Sequence, residues 1–146
     1  ENLLKYLSEQ SLLSENHLYG DVLGDIPLRE EIVNLWNEEY SSSICVNNVA
    51  ITSGCNQAFC AAISTIATAG DSILVPVPWY FNHEMWLSMQ GIIPLALSSD
   101  QNLLPCIKSA KALIDRKVKA IVLVTPNNPT GIEYPDILLK QYYIII

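Results

Sequence analysis

Apolar positions change their spacing repeatedly along the chain, and each change marks an element. Near the start, Leu3, Leu4 and Leu7 form one short helical pattern inside an otherwise irregular stretch over 1–27. At Asp25-Ile26-Pro27-Leu28 a helix opens, with Asp25 as N-cap and Pro27 in the first turn, where a missing N–H costs nothing. Leu28, Ile32, Leu35, Trp36 and Tyr40 continue it at helical spacing. Val49-Ala50-Ile51-Thr52 predicts a short buried strand, and 56–69 a helix closed by Gly70. Strand and helix then alternate: a strand over 72–75, a helix over 81–90 stopped by Gly91, and a strand over 92–97. Pro94 inside that strand demands an edge position. A helix around 109–115, the most apolar strand at 120–124 ended by Pro126, and a helix from Pro135 to about Tyr142 complete the pattern. Uniformly apolar strands with helices between them predict an α/β fold, a parallel sheet covered on both faces. Ligands of such sheets bind beyond the carboxyl ends of the strands, which directs attention to the loops after Thr52, Val75 and Val124.

Composition narrows the classes. The 146 residues are 50% hydrophobic and 16% charged, enough for a sizeable core and contrary to disorder. Fifteen acidic against eight basic residues give a net charge of −7, which argues against nucleic acid or an anionic membrane as a partner. No apolar run approaches the roughly 18 residues of a membrane span, and the first residues lack a signal-peptide pattern. Cys45, Cys55, Cys60 and Cys106 form no C-x-x-C pair, and His17 and His83 are far apart, so no zinc or other metal site is expected. Reduced thiols in a cytoplasmic setting are the expectation. The apolar tail Tyr142-Tyr143-Ile144-Ile145-Ile146 reads as a strand or a buried helix end rather than a solvated terminus.

Three loops offer chemistry. In Thr52-Ser53-Gly54-Cys55-Asn56-Gln57 a glycine and a helix start place backbone N–H groups where an anion such as phosphate can sit. The segment is neither a Walker motif nor G-x-G-x-x-G, and an ordinary strand–helix turn fits it too. Cys55 at the helix start also permits a nucleophilic thiol, although no triad partners accompany it. In Pro76-Val77-Pro78-Trp79-Tyr80-Phe81-Asn82-His83, three adjacent rings follow a strand; one can stack on a flat ligand, while the others cap the core. His83 reads as a first-turn helix residue. In Thr125-Pro126-Asn127-Asn128-Pro129-Thr130-Gly131 two prolines and a glycine fix a tight turn, on which an asparagine presents both a donor and an acceptor.

Taken in order, these loops resemble the fold-type I pyridoxal-phosphate-dependent enzymes, specifically the class I/II aminotransferase family. Asn128-Pro129-Thr130-Gly131 is the most specific match. The Ser-Gly-x-x-Gln loop, the Pro-x-Tyr-x-Asn-His stretch and Tyr19-x4-Gly24-x3-Leu28-Arg29 stand in register with it. The resemblance runs from about Tyr19 to about Asp136. It implies a three-layer, parallel-sheet large domain of a PLP-dependent transferase, here incomplete, with 1–27 as an N-terminal segment and 28–146 as part of that large domain. The implied cofactor is pyridoxal 5′-phosphate. Backbone N–H groups around Gly54, Cys55 and Asn56 would hold its phosphate, and Tyr80 would stack on the pyridine ring. Asn128 would bond the phenolic oxygen beside the substrate carboxylate. Tyr19 would reach the phosphate of a second subunit, which implies a homodimer.

The same resemblance implies residues that the chain lacks. The family's Schiff-base lysine, pyridine-pairing aspartate and carboxylate-binding arginine lie beyond the chain end, so no catalytic residue is assigned. Lys5, Lys108, Lys111, Lys117, Lys119 and Lys140 read as solvated side chains. The expectation is therefore an N-terminal portion of an enzyme that exchanges an amino group between an amino acid and a 2-oxo acid, inactive when taken alone. Other fold-type I enzymes (lyases or decarboxylating synthases) and a non-catalytic phosphate-ligand binding remnant are the alternatives, with a Cys55-dependent hydrolase more remote.

Overall fold

The computed structural model describes residues 2–115 and 117–145; Glu1 and Ile146, the last residue of the apolar tail, lie outside them. Two compact units are present, Glu1–Ser53 and Gly54–Ile146.

In the first unit, α1 (Asn2–Gln10) is followed by a 3-10 turn at Ser14–His17 and by α2 (Ile26–Tyr40). The expected N-cap is in place: the Asp25 side chain accepts a hydrogen bond from Leu28 N at 3.1 Å, and Pro27 sits in the first turn. Asp25→Ala is expected to cost about 1 kcal/mol, measured by urea unfolding; an unchanged midpoint would show that the cap contributes nothing. A second 3-10 turn, Val46–Asn48, precedes the segment expected to be a buried strand. Val49–Thr52 is not a strand, and Ala50 is exposed. Val49 is extended (φ −118°, ψ 129°), and the segment is held by Ile51 N–H donating to Leu23 O at 2.8 Å and by Val49 O accepting from Arg29 Nε at 2.9 Å rather than by a strand neighbour. A strand exists only through a ladder partner, and the described residues provide none here. Gly24 (φ +99°) lies under this segment. A Cβ there would come within 2.6 Å of Ile51 Cβ, so the close approach requires glycine.

Arg29 holds this unit together. Its side chain is only 3% exposed. Nε donates to Val49 O at 2.9 Å, Nη2 to Val46 O at 2.8 Å, and Nη1 to Asp21 Oδ1 at 3.1 Å.

The second unit is built on three parallel strands: β1 (Ser72–Pro76), β2 (Ile93–Leu97) and β3 (Val118–Ile121), in the order β2-β1-β3. All five residues of the central β1 are buried. Pro94 is in β2, which pairs only with β1 among the described residues, from Ser72↔Ile93 to Pro76↔Leu97. The edge position expected from that proline is therefore found. β3 pairs through Ser72↔Val118, Ile73↔Ala120 and Leu74↔Ile121, with a register shift after the first pair. The expected strand at 120–124 thus begins two residues earlier and leaves the ladder sooner, although Val122 N still donates to Leu74 O at 2.9 Å.

Successive β1 side chains face opposite sides. Ile73 and Val75 pack with Ile63 and Ala67 from the α3 (Cys55–Ile66) side and with Leu87 from α4 (Phe81–Met89). Leu74 packs with Leu97, with Ala110 from α5 (Ile107–Leu113) and with Tyr142 from α6 (Asp136–Ile145). Helix, sheet and helix make the three layers expected from the uniformly apolar strands. α3 ends at Ile66, short of the expected 69, because Ala67 is already extended. Asp71 then takes over, accepting from Thr68 N at 2.9 Å. The apolar tail is a half-buried helix end: Tyr142 is 1% exposed, whereas Tyr143 and Ile144 are 86% and 78% exposed.

Candidate cofactor site

Two of the three loops leave the sheet at its carboxyl edge, and a buried asparagine ties them together. After β1 the chain runs through Val77-Pro78 to Tyr80, which precedes α4. After β3 comes the turn 125–131. Asn127, 7% exposed, uses both hydrogens of its side-chain amide, donating to Pro78 O at 3.3 Å and to Thr130 Oγ1 at 2.9 Å. Its own N–H donates to Ile132 O at 2.8 Å. Asn128, the asparagine singled out from the sequence, is exposed beside it. The sequence reading missed Asn127. Its only signal was its place in a Pro-Asn-Asn-Pro run, where two chemically identical side chains stand next to each other.

The first loop meets the second through its helix. Gly54 (φ +86°, ψ 167°) immediately precedes α3, and a Cβ built on it would meet no atom within 4 Å. The loop therefore has open space above a backbone conformation that L side chains rarely adopt. Cys55 and Asn56 follow as exposed residues. Asn56 lines the same open hollow as Asn82, and Asn82 Nδ2 donates to the Tyr80 hydroxyl at 2.8 Å. Gly54–Asn56 and Tyr80 thus belong to one connected surface of the second unit. Tyr19 lies in the first unit and is fully exposed.

Of the three adjacent rings, Trp79 packs against the core, as does Trp86 further along, while Phe81 is 60% exposed. Tyr80 is half-buried. It meets the ring edges of Phe81 and His83, each at 5.2 Å between centroids. His83 is more than a first-turn residue. It is 7% exposed and stacked on Phe59 at 4.1 Å, and its Nδ1 is buried without a hydrogen-bond partner.

Burial lowers the pKa of the His83 imidazole from its ordinary 6.5, so the folded ring is neutral where the unfolded one is still charged. The unfolded chain then binds more protons, and stability falls as pH drops through about 6.5. It is fully present above that value. His83→Phe is expected to flatten the dependence of unfolding free energy on pH between about pH 7 and about pH 5.5, read from urea titrations. Equal slopes in the two proteins would remove His83 as the cause.

The six lysines are all exposed, and among the described residues two of them form ion pairs: Lys5–Glu9 at 3.9 Å and Lys119–Asp71 at 3.7 Å. All four cysteines are free thiols. The described residues contain no group of three or more His, Cys, Asp or Glu side chains placed to hold a metal ion, and no helix long and apolar enough to cross a membrane.

Residues 1–142 match the family model described as aminotransferase class I and II. The chain belongs to that family. It is 33% identical over 125 residues to the glutamate-pyruvate aminotransferase AlaA of Haemophilus influenzae, a match covering 84% of this chain and 31% of that protein. Among solved structures, it superimposes on the alanine aminotransferase from Pyrococcus furiosus with a TM-score of 0.84 at 28% identity, over 88% of this chain and 33% of the other. Thermus thermophilus aspartate aminotransferase shares the fold with a TM-score of 0.89 at 22% identity, over 99% and 38%. The chain therefore spans about a third of the length of the relatives it matches. Proteins of this family depend on pyridoxal 5′-phosphate, and the sheet-end loops are those on which the sequence resemblance rested.

Proposed function

We propose that the protein containing this chain moves an amino group between an amino acid and a 2-oxo acid, with pyridoxal 5′-phosphate as cofactor. The observation that carries this reading is the joining of loops at one end of a parallel sheet in a class I/II aminotransferase chain. Asn127 bonds Pro78, and Asn82 bonds Tyr80 while sharing a hollow with Asn56. Two features of the site suit the cofactor. Tyr80 is half-buried with its hydroxyl anchored, so its ring is held as a flat surface. The buried Nδ1 of His83, at the edge of that ring, has a hydrogen bond still to make.

In this reading, backbone N–H groups around Gly54, Cys55 and Asn56 receive the phosphate at the start of α3. Tyr80 covers one face of the pyridine ring. Asn128, exposed on the turn that Asn127 anchors, donates to the phenolic oxygen and lies beside the substrate carboxylate. When bound, the cofactor supplies the electron sink for breaking a bond at the amino acid's α-carbon. Tyr19, exposed in the first unit, reaches the cofactor phosphate of a second subunit, so the protein works as a homodimer. Residues 28–146 are part of the large domain and 1–27 lead into it. A cytoplasmic setting suits the four free thiols. All six lysines are exposed on helices, turns or β3, so none is assigned to bond the cofactor, and turnover is proposed for the whole protein.

The test supplies the whole protein with pyridoxal 5′-phosphate, an amino acid and a 2-oxo acid, and looks for the exchanged pair. Release of carbon dioxide, or cleavage of the amino acid's side chain, without exchange would assign the lyase or synthase chemistry instead. Cofactor uptake with no reaction at all would leave a binding protein. Asn128→Ala is expected to move the absorbance titration of the cofactor-loaded protein to higher pH, because an amide donor favours the ionised oxygen. An unchanged titration would remove that hydrogen bond.

A further inference from the structure

The hollow between α3 and α4 has a volume of about 270 Å³ and an unusual lining. Cys60 contributes from α3, and Met85, Trp86 and Met89 from α4, with Phe59 and two asparagines completing the wall. The chain has two methionines and four cysteines, so both thioethers and one of the four thiols meet in a single hollow. Met85 and Met89 are one turn apart on the same face of α4. They are 51% and 76% exposed, so their flexible side chains are free to turn inward. Cys60 is a half-buried free thiol on the neighbouring helix. Packed helix axes lie about 8–10 Å apart, a gap that cysteine and methionine side chains can close around one atom.

Charge selects the kind of atom. α3 carries no Asp, Glu, Lys or Arg. Glu84, the one such residue of α4, does not line the hollow and accepts from Ser88 Oγ at 2.9 Å. No carboxylate is therefore offered to magnesium or calcium, and no imidazole lines the wall for zinc. Thiolate and thioether sulfurs favour a soft cation. One thiolate neutralises one positive charge, which suits an otherwise uncharged wall. The Trp86 ring, edge-on to Phe59 at 6.1 Å, adds a face that attracts cations.

We propose that this hollow binds a soft monovalent metal ion of the copper(I) class through Cys60 Sγ and the thioethers of Met85 and Met89. As the sulfur–copper bond forms, the Cys60 thiol releases its proton to solvent. Copper stays in its monovalent state throughout, so no electron donor or acceptor takes part. The hollow shares Asn56 and Asn82 with the surface proposed for the cofactor, but none of the three sulfur ligands is assigned to the cofactor, so the metal site does not depend on that proposal.

The test is an oxygen-free titration of the reduced full chain with copper(I), in competition with a colorimetric copper(I) chelator. One strongly held ion per chain is expected, with quenching of tryptophan fluorescence. The double variant Met85→Leu/Met89→Leu, which preserves side-chain volume, should bind at least about tenfold more weakly. Cys60→Ser should weaken binding further, while Cys45→Ser and Cys106→Ser leave it unchanged. Circular dichroism of each variant checks that the fold is kept. Wild-type affinity in the double leucine variant overturns the site, because it means that thiols alone hold the ion. Undiminished binding in Cys60→Ser overturns it as well. If Cys60→Ser does not fold, the leucine variant alone decides.

Discussion

Arg29→Ala is expected to destabilise the protein by about 3 kcal/mol, because it removes a buried charged donor from three acceptors at once, although Asp21 Oδ1 keeps Leu23 N and Val46 O keeps Val49 N. The guanidinium is 3% exposed and bonds Val49 O, Val46 O and Asp21 Oδ1. Asp21 is itself 44% exposed, so water can solvate it after the loss. That places the cost at the lower end of what breaking a buried pair entails. The two carbonyls belong to the 3-10 turn at Val46–Asn48 and to an extended run that has no ladder partner among the described residues. Arg29→Lys should recover less than half of the loss, since one ammonium cannot meet three acceptors in different directions. Equilibrium urea unfolding of the three proteins is the measurement. A change within about 0.5 kcal/mol for the alanine variant would mean that these bonds do not hold the unit.

Tyr80→Ala is expected to weaken retention of pyridoxal 5′-phosphate by about 1–3 kcal/mol, the range for a flat heterocycle stacked on an aromatic side chain. That corresponds to a loss of affinity between about fivefold and about 150-fold, measurable by equilibrium dialysis of the whole protein. The ring is positioned by its neighbours: Asn82 Nδ2 holds its hydroxyl at 2.8 Å, and His83 meets it edge-on at 5.2 Å. Tyr80→Phe keeps the ring and loses only the Asn82 bond, so it should retain most of the affinity. Equal affinity in the alanine variant would take Tyr80 out of the cofactor site, and a phenylalanine variant as weak as alanine would shift the role from the ring to the hydroxyl. Trp79 is the natural control, since it packs against the core beside Ile73 and Val75 rather than toward the loops.

Several details of the fold could be read from single residues. Asp25 and Pro27 located a helix start that the structure places one residue after Asp25. Pro94 placed β2 at an edge, because a proline cannot donate to a second neighbour. The chain's uniformly apolar strands implied cover on both faces, and β1 has it. Each of these rests on chemistry local to one residue or one period of the pattern.

Other details were out of reach. Val49–Thr52 has the composition of a strand, yet whether it pairs depends on a neighbour distant in sequence. β3 starts at Val118 rather than Ala120 because Val118 pairs with Ser72 ahead of a register shift in the ladder, which no property of its own residues reveals. Arg29 was visible as part of a motif, but not as a buried three-way tie.

The sequence by itself determined the alternation of elements, the parallel three-layer class and the family, because helix and strand periods, caps and the Asn-Pro-Thr-Gly turn are encoded within a few neighbouring residues. The tertiary structure alone decided which of two adjacent asparagines is buried. Asn127 is the anchor between loops because Pro78 O, 49 residues earlier in the chain, comes within reach of its amide. It alone also decided that His83 is enclosed against Phe59. Burial and long-range hydrogen bonds depend on what the fold brings alongside a residue, and local pattern carries no record of that.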